Sequence, residues 1–235
     1  GEGIGLSDDN YRAAGAETTW RAERGAAAPA RLRAHWDRFI PRDDFAWLAG
    51  AGINAVRIPL GHWIFGPPYP YHATYGSDPH PFVEGGIEVL DRALDWATEF
   101  GLRVVLDLHA APGCQNGFDN GGILDVCEWH TREEYLAHSV EVLGRPAARY
   151  RGRGCLHAIA APNEPREDVP TDLLKDYYRR ANLAIRMHCP PDRVAVMFHD
   201  GFRSHREFLG LFQEPGFLNV LFDVHRYQCF DRADI

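Results

Sequence analysis

The chain has 235 residues, 45% hydrophobic and 25% charged, which is enough apolar material for one sizeable core and too much for a disordered chain. Its formal charge is −8 and Lys175 is its only Lys. No basic stripe interrupts this acidic balance, so the electrostatic footprint of a nucleic-acid binder is excluded. Every apolar run falls short of the roughly 20 residues that span a bilayer, so no membrane partner is expected and the chain reads as soluble. Five Cys (Cys114, Cys127, Cys155, Cys189 and Cys229) lack CxxC spacing, which points away from a zinc ribbon or a redox motif. Cys114 and Cys127 are either a disulfide or free thiols. The chain begins at Gly1 with no signal-peptide apolar stretch behind it, so its compartment is not readable.

In chain order, Gly1 to Arg42 is rich in Ala, Gly and Arg and reads as an irregular segment with a short helix near Leu32, Trp36, Phe39 and Ile40. Asp43 to Gly52 is an amphipathic helix stopped by Gly. Ile53 to Leu60 follows as a buried strand bounded by Gly and Pro. Gly61 to Glu84 is a long loop, and long loops in compact domains are often functional. Its rings (Trp63, Phe65, Tyr69, Tyr71, Tyr75) either wall a sugar site or pack on the scaffold. Ile87, Leu90, Leu94 and Ala97 then recur at helical spacing as far as Phe100-Gly101. Leu102 to His109 is an apolar strand. Thr131 and Glu134 spell a capping box that opens a helix toward Tyr150, and Pro146 inside it should kink it.

Cys155 to Ala161 is the next strand, and Asn163-Glu164-Pro165 is the turn that closes it. Asp172 to His188 is a helix with Leu174, Tyr177, Tyr178, Ala181 and Ile185 on one face. Val194 to Asp200 is a strand, Ser204 to Phe212 a short helix, and Asn219 to Tyr227 the last strand. Nearly continuous apolar strands alternating with helices predict an α/β fold of βαβ units, with a parallel sheet covered on both faces. No linker divides the 235 residues into two domains.

Polar residues gather at one end of these strands: Arg57, His109, Asn163 with Glu164, His199 with Asp200, and His225 with Tyr227. A carboxylate such as Glu164 at the end of a buried strand needs chemistry or a partner, because buried charge is expensive. In a (β/α)8 barrel the C-terminal strand ends form one mouth, where catalytic groups from several strands meet. Twelve His raise the alternative of a metal-dependent hydrolase. There is, however, no HxH strand ending and no HExxH helix, so no metal or other cofactor is expected.

The series Val56-Arg57-Ile58-Pro59, Asp107-Leu108-His109, Asn163-Glu164-Pro165 and His225-Arg226-Tyr227, each read as closing a strand, resembles glycoside hydrolase family 5. That family comprises retaining β-glycosidases on a (β/α)8 TIM barrel. The loop Ala111-Pro112-Gly113-Cys114-Gln115-Asn116-Gly117-Phe118-Asp119-Asn120 is similar to that of the exo-β-1,3-glucanase branch, as are Leu60-Gly61-His62-Trp63 and Phe198-His199-Asp200. The likeness runs from about Phe39 to Phe230. It implies a β-glucan oligo- or polysaccharide as substrate, with no obligate protein partner. Glu164 matches the acid/base, which protonates the leaving oxygen and then activates water. Asn163 matches the residue that hydrogen-bonds the sugar 2-hydroxyl. Arg57 and Tyr227 match the groups that hold the nucleophilic carboxylate, His109 and His225 match side chains lining the reacting subsite, and Asp119 and Asn120 match partners of the terminal sugar. Structural readings stand beside these: Arg57 pairing with Asp107, histidines satisfied by the scaffold, and Asp119 with Asn120 shaping their turn.

Three departures qualify the resemblance. The family's nucleophile is a Glu ending the seventh strand, but no Glu follows Glu214 here, and the aromatic platform of the eighth strand is missing too. The family's first strand has no counterpart before Asp43 unless Gly3-Ile4-Gly5-Leu6 is its remnant. About five βα units, strands two to six of the barrel, are therefore expected, with edges left open. Such a chain is expected to be inactive alone, and the alternative function is a degenerate barrel that binds carbohydrate. Pro162 cannot donate to a sheet ladder, which puts the aim of Glu164 in question. Without a second carboxylate nearby, Glu164 should titrate near the ordinary Glu value of ~4.3.

Overall fold

The computed structural model describes residues 25–75, 78 and 81–227. Gly3-Ile4-Gly5-Leu6 and Cys229 lie outside the described residues. Five strands, β1 (Ala55–Gly61), β2 (Arg103–Ala110), β3 (Leu156–Ala160), β4 (Ala195–His199) and β5 (Val220–Asp223), form one sheet in the order 1-2-3-4-5. Every neighbouring pair is parallel. Among the described residues five helices accompany them: α1 (Ala28–Trp36), α2 (Arg42–Gly50), α3 (Gly86–Glu99), α4 (Glu133–Tyr150) and α5 (Thr171–Arg186). Helices α3, α4 and α5 are the crossovers that parallel neighbours require. Strands added in sequence order, β2 to β4 each after a helix and β5 after two 3-10 turns, build part of the wall of a (β/α)8 barrel.

The side-chain period of two divides each strand between two faces. Val56, Ile58 and Leu60 of β1, Val104, Leu106 and Leu108 of β2, and Val196 and Phe198 of β4 belong to the main core with the helices. Leu90, Leu94 and Ala97 of α3 and Leu174, Tyr177, Tyr178, Ala181 and Ile185 of α5 meet them there, all buried. Burial of side chains such as Leu94, Leu106 and Leu143 contributes roughly 1.5–3 kcal/mol each. The residues between them face the other way. Val105, Ala158, Ala160, Ala195 and Met197 make a small second cluster, and Arg57, Asp107, His109, His199 and Asp223 share its parity. The inner face is thus small and apolar at its base and polar toward the C-terminal ends.

Several local expectations change. The Thr131 hydroxyl donates to the Glu128 carbonyl (2.7 Å) inside a 3-10 turn, Trp129–Thr131, so no capping box forms, and α4 starts at Glu133. Helix α4 runs unbroken through buried Pro146. The stretch Ser204 to Phe212 is two 3-10 turns, His205–Phe208 and Leu211–Gln213, separated by Gly210 at φ +91°, a conformation no helix contains. The last strand stops at Asp223, leaving His225 and Tyr227 beyond it. Cys114, Cys127, Cys155 and Cys189 are free thiols.

Most of the long loop's rings pack on the loop's own Phe82, and Phe65 is set against α4. Trp63 stacks on Phe82 (centroids 4.2 Å), Tyr69 and Tyr75 meet Phe82 edge-on, and Phe65 lies under the Arg145 guanidinium. Tyr71 is exposed.

Candidate active site

Glu164 sits four residues past the end of β3, in left-handed backbone (φ +50°). For a non-Gly residue that conformation costs roughly 1–2 kcal/mol, and such strain persists where surrounding contacts over-determine it. The contacts here are specific. Glu164 Oε1 accepts from Tyr227 Oη (2.6 Å) and from His225 Nδ1 (2.6 Å), and Oε2 accepts from Asn120 Nδ2 (3.3 Å). Glu164 itself is 4% exposed. Burial pushes its carboxyl up, but the hydrogen bonds from Tyr227, His225 and Asn120 and the charge of His225 outweigh burial, so it lies below the usual Glu range. Sequence alone placed it at the ordinary value; the low value follows from donors gathered by tertiary structure.

Pro162 does not turn this carboxylate away. The Ala161 N–H donates to Met197 O (2.9 Å) and the Asn163 N–H to Leu108 O (2.9 Å). The chain is therefore held to β4 and β2 on either side of the residue that cannot donate.

A second group surrounds Asp107, which is fully buried. Its Oδ2 meets His109 Nδ1 at 2.6 Å and its Oδ1 lies 3.1 Å from an Arg57 nitrogen. Arg57 also donates to Asn163 Oδ1 (2.9 Å) and lies 3.9 Å from Asp223. Arg57 is inside β1 rather than at its end, and its length carries it across the inner face. Its pairing with Asp107 is present, and Tyr227 contacts Glu164 itself. Asn120 reaches Glu164, whereas Asp119 Oδ1 accepts from the Asn120 N–H within the turn.

Three residues without an assigned role in the sequence hold this arrangement. Gln115, fully buried, donates through Nε2 to His109 O (2.8 Å) and Asn163 O (2.9 Å) and accepts from the Ala111 N–H (3.0 Å). It ties the loop after β2 to the turn that carries Glu164. Arg203 donates to the carbonyls of Pro165, Arg166, Val169 and Gly201, fixing the chain just after Glu164. Asp223 meets His225 Nε2 at 3.2 Å. Of the three only Asp223 had a readable signal, because Asp223-Val224-His225 repeats the spacing of Asp107-Leu108-His109.

Ligand atoms of Glu164, His199 and His225 lie within 4.8 Å of one another, a cluster that raises the question of a metal. The donors do not fit one. His199 Nδ1 accepts from the Gly201 N–H (2.8 Å), which leaves the ring proton on Nε2 and no lone pair there to ligate. Both nitrogens of His225 face carboxylate oxygens. Burial, with repulsion from His225, lowers His199 to about 4, so it is neutral near pH 7. Its ring stands edge-on to His225 at 4.2 Å.

Sequential parallel βα units with a buried carboxylate, histidines and a tyrosine at the C-terminal ends place this chain among the (β/α)8-barrel proteins whose sites open at that face. A model of the cellulase family, glycosyl hydrolase family 5, matches residues 13–234, and the chain belongs to that family. It is 39% identical over 207 residues to a probable glucan 1,3-beta-glucosidase A of Aspergillus terreus, covering 87% of this chain and 46% of that protein. It is 34% identical over 215 residues to a glucan 1,3-beta-glucosidase of Pichia angusta, with coverage of 88% and 47%. The chain spans about half the length of the curated relatives it matches. Among solved structures, a rutinosidase from Aspergillus niger superposes with TM-score 0.76 at 21% identity, covering 93% of this chain and 63% of that one. Thermotoga maritima Cel5A in complex with cellobiose gives 0.58 at 17% identity, covering 80% and 53%. At these identities the structures show a shared fold.

Proposed function

We propose that these residues carry the acid/base half of a retaining β-glucan hydrolase, acting on β-1,3-glucan or a related polymer. The observation that supports it best is Glu164: a buried carboxylate at the C-terminal end of β3, held by three donors from two separate segments, the loop after β2 and the stretch after β5. In such a hydrolase Glu164 protonates the departing glycosidic oxygen and, once ionised, takes a proton from the attacking water. Asn163, anchored by Arg57, is placed to bind the sugar 2-hydroxyl. His109 is oriented by Asp107 toward the reacting sugar. Names of the relatives at 34–39% identity support the glucan, and the family supports retention.

A retaining site needs a second carboxylate about 5–5.5 Å from the first, and no Glu follows Glu214 in these residues. The 235 residues alone should therefore release no reducing sugar from laminarin. A polypeptide that adds the second carboxylate should do so, and Glu164→Gln in that polypeptide should lower turnover on the order of 10²–10⁴-fold. Unchanged turnover would sink the assignment. The low titration of Glu164 favours one other reading, a barrel that binds carbohydrate without cleaving it. Laminarin binding without hydrolysis by the longer polypeptide would select that reading.

A further inference from the structure

Asp223 is the last residue of β5 and has no part in the chemistry above. Its carboxylate and that of Glu164 lie on opposite sides of one imidazole: His225 Nδ1 is 2.6 Å from Glu164 Oε1, and Nε2 is 3.2 Å from Asp223 Oδ2. Both contacts are hydrogen bonds only when both ring nitrogens carry a proton, that is, when His225 is an imidazolium. The Asp107–His109 pair offers the contrast. There the aspartate meets Nδ1 and no second carboxylate faces the ring in the hydrogen bonds of the described residues.

We propose that Asp223 is a positioning residue that acts on Glu164 through His225: it holds the ring doubly protonated, and the ring in turn holds Glu164 ionised and oriented. The inference rests on the reading of Glu164 as the acid/base. Other charged and titratable groups face the same chain. Arg57 approaches from β1, His199 and Asp200 from the end of β4, and Arg226 and Tyr227 from the segment after β5. Arg57 is nearer Asp107 (3.1 Å) than Asp223 (3.9 Å), and Asp223 Oδ2 is nearer His225 Nε2 (3.2 Å) than Arg57.

The sign of one titration separates this arrangement from a plain field effect. Removing a like charge across the mouth lowers the pKa of a carboxyl. If Asp223 acts through His225, its removal also takes away the support for the imidazolium, and Glu164 loses a cation and a charged donor. A ¹³C NMR titration of the Glu164 carboxyl, assigned by its disappearance in Glu164→Gln, should therefore move up by about one pH unit in Asp223→Asn. Asp223→Glu should restore most of the original value. In a His225→Gln background, Asp223→Asn should no longer raise Glu164. A downward shift, no shift, or an upward shift that survives loss of the imidazole would each overturn the proposal. The ¹⁵N spectrum of the unsubstituted protein gives a test independent of whether any variant folds: with both carboxylate contacts made, both ring nitrogens of His225 carry protons, and a singly protonated ring overturns the chain of contacts. These measurements involve no turnover. Failure of the glucan reading would appear in the laminarin assay and failure of the Asp223 role in the titration.

Discussion

Asp107 and His109 lie inside β2, where Asp107 is laddered to Pro59 of β1 and Ala160 of β3 and His109 falls at a register shift, whereas Asp223 ends β5 and His225 lies past it. Both pairs have the same spacing, and in a strand residues two apart share a face. The surroundings differ. The Asp107 side chain is fully buried and that of Asp223 is 25% exposed. Within the strand the histidine presents Nδ1 to its aspartate. Beyond the strand end the ring is turned so that Nε2 meets Asp223 and Nδ1 is left for Glu164. One short motif therefore gives a packed brace in one place and a contact to the Glu164 carboxylate in the other.

The largest expected break in that comparison is in stability. Asp107→Ala would leave Arg57 and His109 facing an empty buried site, and losing one partner of a buried ion pair costs about 3–5 kcal/mol. Asp223→Ala, at a partly solvated edge, should cost about 1 kcal/mol or less. Urea unfolding of the two variants compares them directly, and equal losses would erase the distinction between brace and edge.

Next comes acid sensitivity on the β5 side. His199 falls from 6.5 to about 4 in the folded protein, chiefly through burial. A group whose folded pKa is depressed contributes stability above its unfolded pKa and loses it as pH falls through the folded one. Stability should thus decline on the order of 3 kcal/mol between pH 6.5 and 4 on account of this ring. His199→Gln should flatten that part of the curve measured by urea midpoint against pH. An undiminished slope would place the acid-sensitive group elsewhere.

The smallest effect concerns the third donor to Glu164. Asn120 is exposed and its bond is long, 3.3 Å, so Asn120→Ala should raise the Glu164 titration by only a few tenths of a unit. That is well short of the shift expected from Asp223→Asn. An equal or larger shift would make Asn120, not the His225 chain, the main support of the ionised carboxylate.

Much of the scaffold was legible because periodicity is local. The apolar residues of α3 and α5 and the runs that became β1 to β5 announce themselves within a few residues, although the last strand is shorter than its pattern and β1, expected to be buried, keeps only Leu60 buried. Local signals misled where they competed with neighbours at short range. Thr131 bonds backward to Glu128 instead of capping α4, and Gly210 splits the stretch expected to be a helix. Among the site residues, Glu164, His225, Tyr227 and Asn120 meet although they were singled out from separate stretches. Gln115 and Arg203 were not legible, because their work is hydrogen bonding to distant backbone carbonyls, which leaves no pattern in composition or spacing.

The sequence by itself determined the βα alternation, the parity that sends Arg57, Asp107, His109 and His199 to the inner face, and the family to which they belong. Each of these follows from spacing along the chain or from the identity of the side chains. Only the tertiary structure decided that Tyr227 and His225 donate to Glu164, that Pro162 leaves the aim of Glu164 intact, and that the carboxylate is held below its ordinary pKa. Those outcomes depend on hydrogen-bond directions between segments some 60 residues apart, where one ångström or one ring orientation reverses the balance between burial and donation.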